Sequence, residues 1–394
     1  MTYRIKTLNA ISKQGLSRLP DTWTVGNDVP VPDAILVRSA DMHTLKIPAS
    51  LLAVGRAGAG PNTHPVKAMS EKGIVVFNTP GANANAVKEL VIAGMLIGIR
   101  NIVPAIHFTD ELQGNDDELH KLVEGGKKQF VGRELRGSTL GIVGLGAIGS
   151  ILAESALSLG MKVIGIDPNL TVEAAWRLPS QVRKAADIEY LLKHSDFVSL
   201  HVPLLPATKN LINAERVKLM KKGSMLLNFS REGIVDTPAV IDGLAANRLH
   251  AYLCDFPANG LLHRHPRAIA IPHLGASTEE AEENCAAMVA DQLVDYLQNG
   301  NITNSVNFPD ISMPRGSRHR LAIANANVPN MLGQISTALA HAGLNINNMV
   351  NKSRDERAFT LVDVETEVSP KVINEIAAIN GVLRVRYLPC PEGR

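Results

Sequence analysis

The chain is poor in several residue types that mark whole classes of protein. Only three cysteines occur in 394 residues. Cys254, Cys285 and Cys390 form no Cys-x-x-Cys or Cys/His grouping, which excludes a disulfide framework and offers no metal ligand set; free thiols are expected, and no metal. Aromatic residues make up 4%, too few for base-stacking platforms. Neither sign of charge is in excess. With 40 basic and 38 acidic residues the formal charge is +2, which gives no general attraction to nucleic acid or an anionic membrane, so neither is an expected partner. No uninterrupted apolar run reaches the length of a bilayer span, and the opening Met1-Thr-Tyr-Arg-Ile-Lys6 lacks a signal-peptide core. The expected location is the cytoplasm.

Hydrophobic residues, at 45%, are plentiful enough for full cores, and the length predicts two or three domains. The most informative stretch is Thr139-Leu-Gly-Ile-Val-Gly-Leu-Gly-Ala-Ile-Gly149. An apolar strand passes into Gly144-x-Gly146-x-x-Gly149, and an alanine-rich helix is predicted from about Ala147 to Leu159 with Gly160 as its cap. In a dinucleotide site the first glycine permits the turn, the second lets backbone approach a pyrophosphate, and the third lets helix pack on strand. The helix start at Ala147 and Ile148 then offers unpaired N–H groups to the phosphates. Met161 to Asp167 supplies the second strand, ending in a carboxylate near the roughly 20-residue offset of the group that binds the adenosine ribose. Asp167 accepts from a 2′-hydroxyl and repels a 2′-phosphate, so NAD is favoured over NADP.

Before that unit, strand-like segments at Tyr3–Leu8, Ala34–Ser39, Leu51–Gly55 and Ile74–Asn78 predict a parallel α/β sheet. Ligands of open α/β sheets sit beyond the carboxyl ends of strands. That makes Arg38, and Arg56 in Gly55-Arg-Ala57-Gly58-Ala-Gly60, anion-binding candidates. Asn85 to about Arg100 reads as a buried helix crossing between domains, and a polar segment from Asp110 to Arg136 carries Lys127 and Lys128. Beyond Asp167, strands close on His201-Val202-Pro203, on Ser230-Arg231, on Cys254 and on His273, which points to one shared active edge. Glu279 to Asn299 is a long helix. Pro309, Pro314 and Gly316 then mark a linker, and Arg318 to Leu388 reads βαββαβ, the order of a ferredoxin-like module.

Two residue types suit oxidation of a secondary alcohol. His273 fits the base, because imidazole accepts and returns a proton near neutrality, and Arg231 fits the cation, because its planar fork pairs with a carboxylate in two places.

Val143-Gly-Leu-Gly-Ala-Ile-Gly149, His201-Val-Pro-Leu-Leu-Pro-Ala-Thr208, Asn228-Phe-Ser-Arg-Glu-Gly-Ile-Val-Asp236 and Pro272-His-Leu-Gly-Ala-Ser-Thr278 resemble, in order and spacing, the D-isomer-specific 2-hydroxyacid dehydrogenases. The likeness covers about residues 1–305 and is strongest, through Gly55–Gly60, Asn78-Thr-Pro80 and Pro272–Thr278, to members acting on 3-phospho-D-glycerate at the entry to L-serine biosynthesis. It implies an α/β fold of two Rossmann-like parallel-sheet domains, with substrate binding in 1–97 and 279–305 and NAD binding in 98–278. A linker at 306–317 and a ferredoxin-like module at 318–394 would follow. Through Asn327-Val-Pro-Asn330, Leu332-Gly-Gln-Ile335 and Ala342-Gly-Leu-Asn-Ile-Asn347 the tail resembles the ACT modules that bind amino acids.

The resemblance further implies that Arg231 orients substrate, that His273 transfers the proton, and that Arg56, Ala57 and Gly58, with Arg38 and Lys128, meet the substrate's anionic groups. His201, Val202, Pro203, Thr208, Asn228, Phe229, Ser230, Asp255 and Gly275 would lie along NAD. L-serine as effector would meet Asn325, Asn327, Asn345 and Asn347. The molecule would be a homodimer or homotetramer. Other readings are a glycerate or glyoxylate dehydrogenase and an NAD(H)-sensing binding protein on the same fold. One departure stands out: where the family has a glutamate bonded to the histidine, this chain has Asn259, whose amide can orient the ring but carries no charge. Asp255 either compensates through a one-residue shift or, with Cys254, contacts the nicotinamide carboxamide.

Overall fold

The computed structural model describes residues 2–58, 60 and 64–390, so Ala59 of the arginine-glycine segment lies outside the described residues. The chain divides into two compact units, Met1–Asn83 with Glu279–Arg394, and Ala84–Thr278.

In the first unit, β1 (Arg4–Leu8), β2 (Thr24–Gly26), β3 (Ala34–Val37), β4 (Ala53–Arg56) and β5 (Val75–Phe77) form a parallel sheet in the order β2-β1-β3-β4-β5. The long helix Glu279–Asn299 lays Cys285, Val289, Leu293, Tyr296 and Leu297 into the core of that sheet. Its approach is so close at β4 that a Cβ on Gly55 would stand 2.5 Å from the Val289 side chain.

The second unit is built on β6 (Thr139–Val143), β7 (Lys162–Ile166), β8 (Arg183–Lys184), β9 (Phe197–Leu200), β10 (Ser224–Asn228), β11 (Leu249–Cys254) and β12 (Ala268–Ala270). All pair in parallel, in the order β12-β11-β10-β9-β6-β7-β8. The order reverses between β6 and β9, the switch point where doubly wound sheets open a crevice. The apolar helix Ala84–Ile99 packs Val87, Val91, Met95 and Ile99 into the same core as β6, β10 and β11. It therefore belongs to the second unit, whose first boundary falls at Ala84 rather than at 98, and the expected crossing helix is a helix of this sheet. The second unit ends at Thr278, and the chain rejoins the first at Glu279. Helix Ala84–Ile99 is followed by helix Ile102–Asp110, and the polar segment beyond it is more ordered than its composition suggests, with helix Asp116–Gly126 opened by a reciprocal Asn115–Glu118 capping box.

The chain returns to the first unit with β13 (His319–Ala326), β14 (Ile346–Arg354), β15 (Arg357–Val364) and β16 (Val382–Pro389), an antiparallel sheet in the order β14-β15-β13-β16. Helices Met331–His341 and Pro370–Ala377 complete the expected βαββαβ order. Because strand side chains alternate between faces, Leu321, Ile323, Val362 and Val364 meet those helices. Ala322, Ala324, Phe359, Leu361 and Leu388 point the other way and join Phe77, Tyr296 and Phe308 in the core of the N-terminal sheet. The expected linker is likewise packed, with Phe308, Ile311 and Met313 buried. Module and linker are thus continuous with the first unit rather than a separate body, because one face of the module's sheet is apolar and has that core to cover it.

Candidate active site

Within the second unit the expected residues collect at the carboxyl ends of the strands. Gly144, at φ +94°, turns the chain out of β6, and any Cβ there would meet the His201 carbonyl oxygen at 2.3 Å. Gly149 packs under it, since its Cβ would stand 2.0 Å from the Gly144 oxygen. Around Gly146 there is open space, with nothing within 4 Å of a Cβ. Gly146 is also the N-cap of helix Ala147–Ser158, where no side chain caps the free N–H groups of Ala147, Ile148 and Gly149. Asp167, just past β7, accepts from the Leu145 N–H (2.9 Å) and the Asn169 N–H (2.9 Å), which fixes its carboxylate beside the turn. An open backbone cradle, a helix start and a fixed carboxylate are what a dinucleotide requires. The residues present fit NAD.

Beyond β9, His201 pairs its Nε2 with Ser199 Oγ at 2.8 Å, while its buried Nδ1 has no partner among the described residues. Burial pushes this imidazole down to about 4. The Val202–Thr208 loop is held by Thr208, whose hydroxyl accepts from the Leu205 N–H and donates to the Pro203 carbonyl. Beyond β10, Asn228 clamps the next turn: its Oδ1 accepts from the Ser230 N–H and its Nδ2 donates to the Arg231 carbonyl. Ser230 Oγ donates to the Leu200 carbonyl, Phe229 is buried, and Arg231 Nη1 donates to the Ser230 carbonyl at 2.6 Å.

Asp255 follows β11 and is wholly buried. Its Oδ2 accepts from the Gly275 N–H at 3.2 Å and lies 4.0 Å from His273 Nε2, while its Oδ1 has no partner among the described residues. Burial raises this carboxyl, opposed by His273, the Gly275 N–H and Arg231. The His273 side chain is 64% exposed and rests on the Phe256 ring, with centroids 4.9 Å apart. Asn259, expected to orient this histidine, is exposed and makes no side-chain hydrogen bond among the described residues. The strand end explains why. Cys254 turns into the core and donates to the Phe256 carbonyl, so its neighbour Asp255 faces the opposite side, toward the histidine.

Other expected groups lie apart from this cluster. Lys128 is exposed on the turn Lys127–Phe130, and Lys127 is paired with Glu124. In the first unit, Arg38 is paired with Glu282 at 2.5 Å. Arg56, at the end of β4, donates to the Arg38 carbonyl at 3.1 Å, and the N–H groups of Ala57 and Gly58 bond back to Val37 and Arg56. The four effector asparagines separate. Asn325 and Asn327 line a cavity of about 240 Å³ at the start of helix Met331–His341, together with Asn330 and Asn351, which sequence reasoning did not include. Asn345 instead meets Glu365, and Asn347 is exposed at a register shift of β14.

The NAD-binding domain model of the D-isomer specific 2-hydroxyacid dehydrogenases matches residues 103–275. D-3-phosphoglycerate dehydrogenase of Escherichia coli strain K12 is 35% identical over 352 residues, which is 86% of this chain and 82% of that one. The enzyme of the same name from Dictyostelium discoideum is 31% identical, over 90% of this chain and 89% of its own. Among solved structures, NAD-bound 3-phosphoglycerate dehydrogenase from Entamoeba histolytica superposes with a TM-score of 0.60 at 26% identity, covering 78% of this chain and 99% of that one.

Proposed function

The chain belongs to the D-isomer-specific 2-hydroxyacid dehydrogenases and is an NAD-dependent oxidoreductase, and from that premise we propose that it oxidises 3-phospho-D-glycerate to 3-phosphohydroxypyruvate, the first step toward L-serine. The observation that carries this reading is the gathering of Arg231, Asp255 and His273 beyond β10, β11 and β12 of the sheet that holds the glycine turn.

NAD, when bound, supplies the acceptor for the hydride that leaves C2 of the substrate. Arg231 pairs its guanidinium with the substrate carboxylate and polarises the forming carbonyl. His273 takes the proton of the C2 hydroxyl on its imidazole, so the alcohol loses one hydride and one proton. Arg56 serves the phosphate as the cation at the end of β4, with Arg38, already paired to Glu282, in support. The cavity of Asn325, Asn327, Asn330 and Asn351 takes L-serine as a feedback effector in an ACT-like module of a homo-oligomer.

The test is NADH formation by the purified protein with 3-phosphoglycerate, D-glycerate and, in reverse, glyoxylate. The expected result is turnover of the phosphorylated acid that falls by at least a thousandfold in Arg231→Gln and in His273→Gln. A raised KM in Arg56→Ala is expected for the phosphorylated substrate alone. Faster turnover of an unphosphorylated acid, or none of any, overturns the substrate assignment. Calorimetry with L-serine that gives no heat, alongside unchanged kinetics, overturns the regulatory part.

A further inference from the structure

We propose that Asp255, and not Asn259, is the positioning residue that holds His273 and stabilises its protonated ring during turnover. This rests on the dehydrogenase reading above and assigns the charge that Asn259 cannot supply.

Three observations converge on Asp255. Its carboxylate is wholly buried, yet Oδ2 stands 4.0 Å from His273 Nε2, close enough for a strong charge interaction and close enough for a small ring movement to make a hydrogen bond. The N–H of Gly275, two residues beyond the histidine, donates to the same oxygen and so ties the histidine's loop to Asp255. The other oxygen, Oδ1, is buried without a partner among the described residues, an arrangement that is costly unless a donor reaches it during function. Asn259 has none of these features: it is exposed, and its side chain makes no hydrogen bond among the described residues.

The electrostatic surroundings agree. Besides His273, the ionisable groups that act on Asp255 come from Arg231 beyond β10, while Tyr252 and Cys254 on β11 feel its charge in turn. Tyr252 and Cys254 are both pushed up by burial and stay neutral, so the charged groups around the imidazole's partner are the Asp255 carboxylate itself, the Arg231 cation that acts on it, and Glu232, which acts on Cys254. Of the two carboxylates, Asp255 is the one that stands 4.0 Å from the imidazole. With its Nε2 turned to Asp255, the ring presents Nδ1 to the substrate hydroxyl. The proton moves from the hydroxyl oxygen to Nδ1, the ring becomes an imidazolium, and Asp255 remains a carboxylate throughout.

Asp255→Asn keeps the size of the side chain and removes the charge. Losing a carboxylate makes imidazolium harder to form, so the acid limb of kcat/KM for alcohol oxidation should move to lower pH by about one unit. KM for NAD should stay within twofold, and Asp255→Glu should keep the limb near that of the parent protein. Asn259→Ala should leave the limb in place. Should the Asn variant fail to fold, Asp255→Ser gives the same reading with a smaller neutral side chain. A second measurement needs no turnover: imidazole NMR titration of the protein, with the His273 signal assigned from His273→Gln, should show the same downward shift in Asp255→Asn. An unmoved limb and an unmoved titration, or a tenfold rise in KM for NAD with the limb unchanged, overturns the proposal and leaves Asp255 to the cofactor. Absence of turnover in the parent protein counts against the substrate assignment, and the titration then decides the proposal alone.

Discussion

Arg320 and Asp363 form an ion pair in which neither side chain is exposed, with Nε to Oδ1 at 2.6 Å and Nη2 to Oδ2 at 2.9 Å. The rest of the guanidinium donates to the carbonyls of Asn299, Met313 and Pro314, and Asp363 also accepts from the Gly316 N–H. The pair therefore pins the end of the long helix and the packed linker to the C-terminal sheet. Arg320→Met leaves a buried carboxylate without its counter-charge and should cost about 3–5 kcal/mol in urea unfolding. The double variant Arg320→Met, Asp363→Leu removes both charges and should recover most of that loss. A single variant within about 1 kcal/mol of the parent would show that the pair is dispensable.

The fingerprint glycines make opposite demands. Gly146 faces open space, so Gly146→Val should leave the unfolding temperature within a few degrees while weakening NAD at least tenfold, since its side chain fills the cradle. Gly149→Val has no room, its Cβ meeting the Gly144 oxygen at 2.0 Å, and should destabilise the fold itself. Parallel melting curves and NAD titrations check both. Equal loss of binding and stability in the two variants would contradict the distinction.

Asp167 should set the choice of cofactor. Asp167→Ser removes the charge that repels a 2′-phosphate and should lower the NAD-to-NADP ratio of kcat/KM by about a hundredfold, roughly 2.7 kcal/mol. Steady-state kinetics with both cofactors measures it. Because the carboxylate also holds the Leu145 N–H, some loss of NAD binding is expected as well.

Two histidines should make the protein acid-sensitive. Burial holds His201 at about 4, and burial, aided by the Arg56 cation, does the same to His64. Each stays neutral when folded and takes up a proton below about 6.5 when unfolded. The unfolded state then binds more protons, so their stabilisation is complete above about pH 6.5 and lost as pH falls toward 4. Melting temperatures across that window should decline, and less steeply in His201→Gln. A flat profile in the parent protein would contradict it.

Much of this was legible in the chain. The glycine turn, the Asp167 strand and the βαββαβ tail each carry strong local signals, and the helix predicted at Met331–His341 has the observed bounds. Less legible were features decided by which face of an element finds a partner. Ala84–Ile99 is apolar nearly all round, so its pattern does not say which sheet it covers. Whether Cys254 or Asp255 faces the histidine turns on which side the end of β11 presents, and a shift of one residue reverses it. Asn345 and Asn347 look equivalent to Asn325 and Asn327 in composition, yet a register shift and a turn place them elsewhere.

The shared core of Phe77, Tyr296, Phe308, Phe359 and Leu361 bears on how any message from the tail reaches the rest of the protein. A module hung on a tether can swing. This one is rooted: Arg384 grips the Leu51 and Lys72 carbonyls at the foot of β4 and β5, and Arg386 grips those of Tyr296 and Leu297. Clipping the tail away would strip the cover from that shared core and leave an apolar wound on the N-terminal sheet.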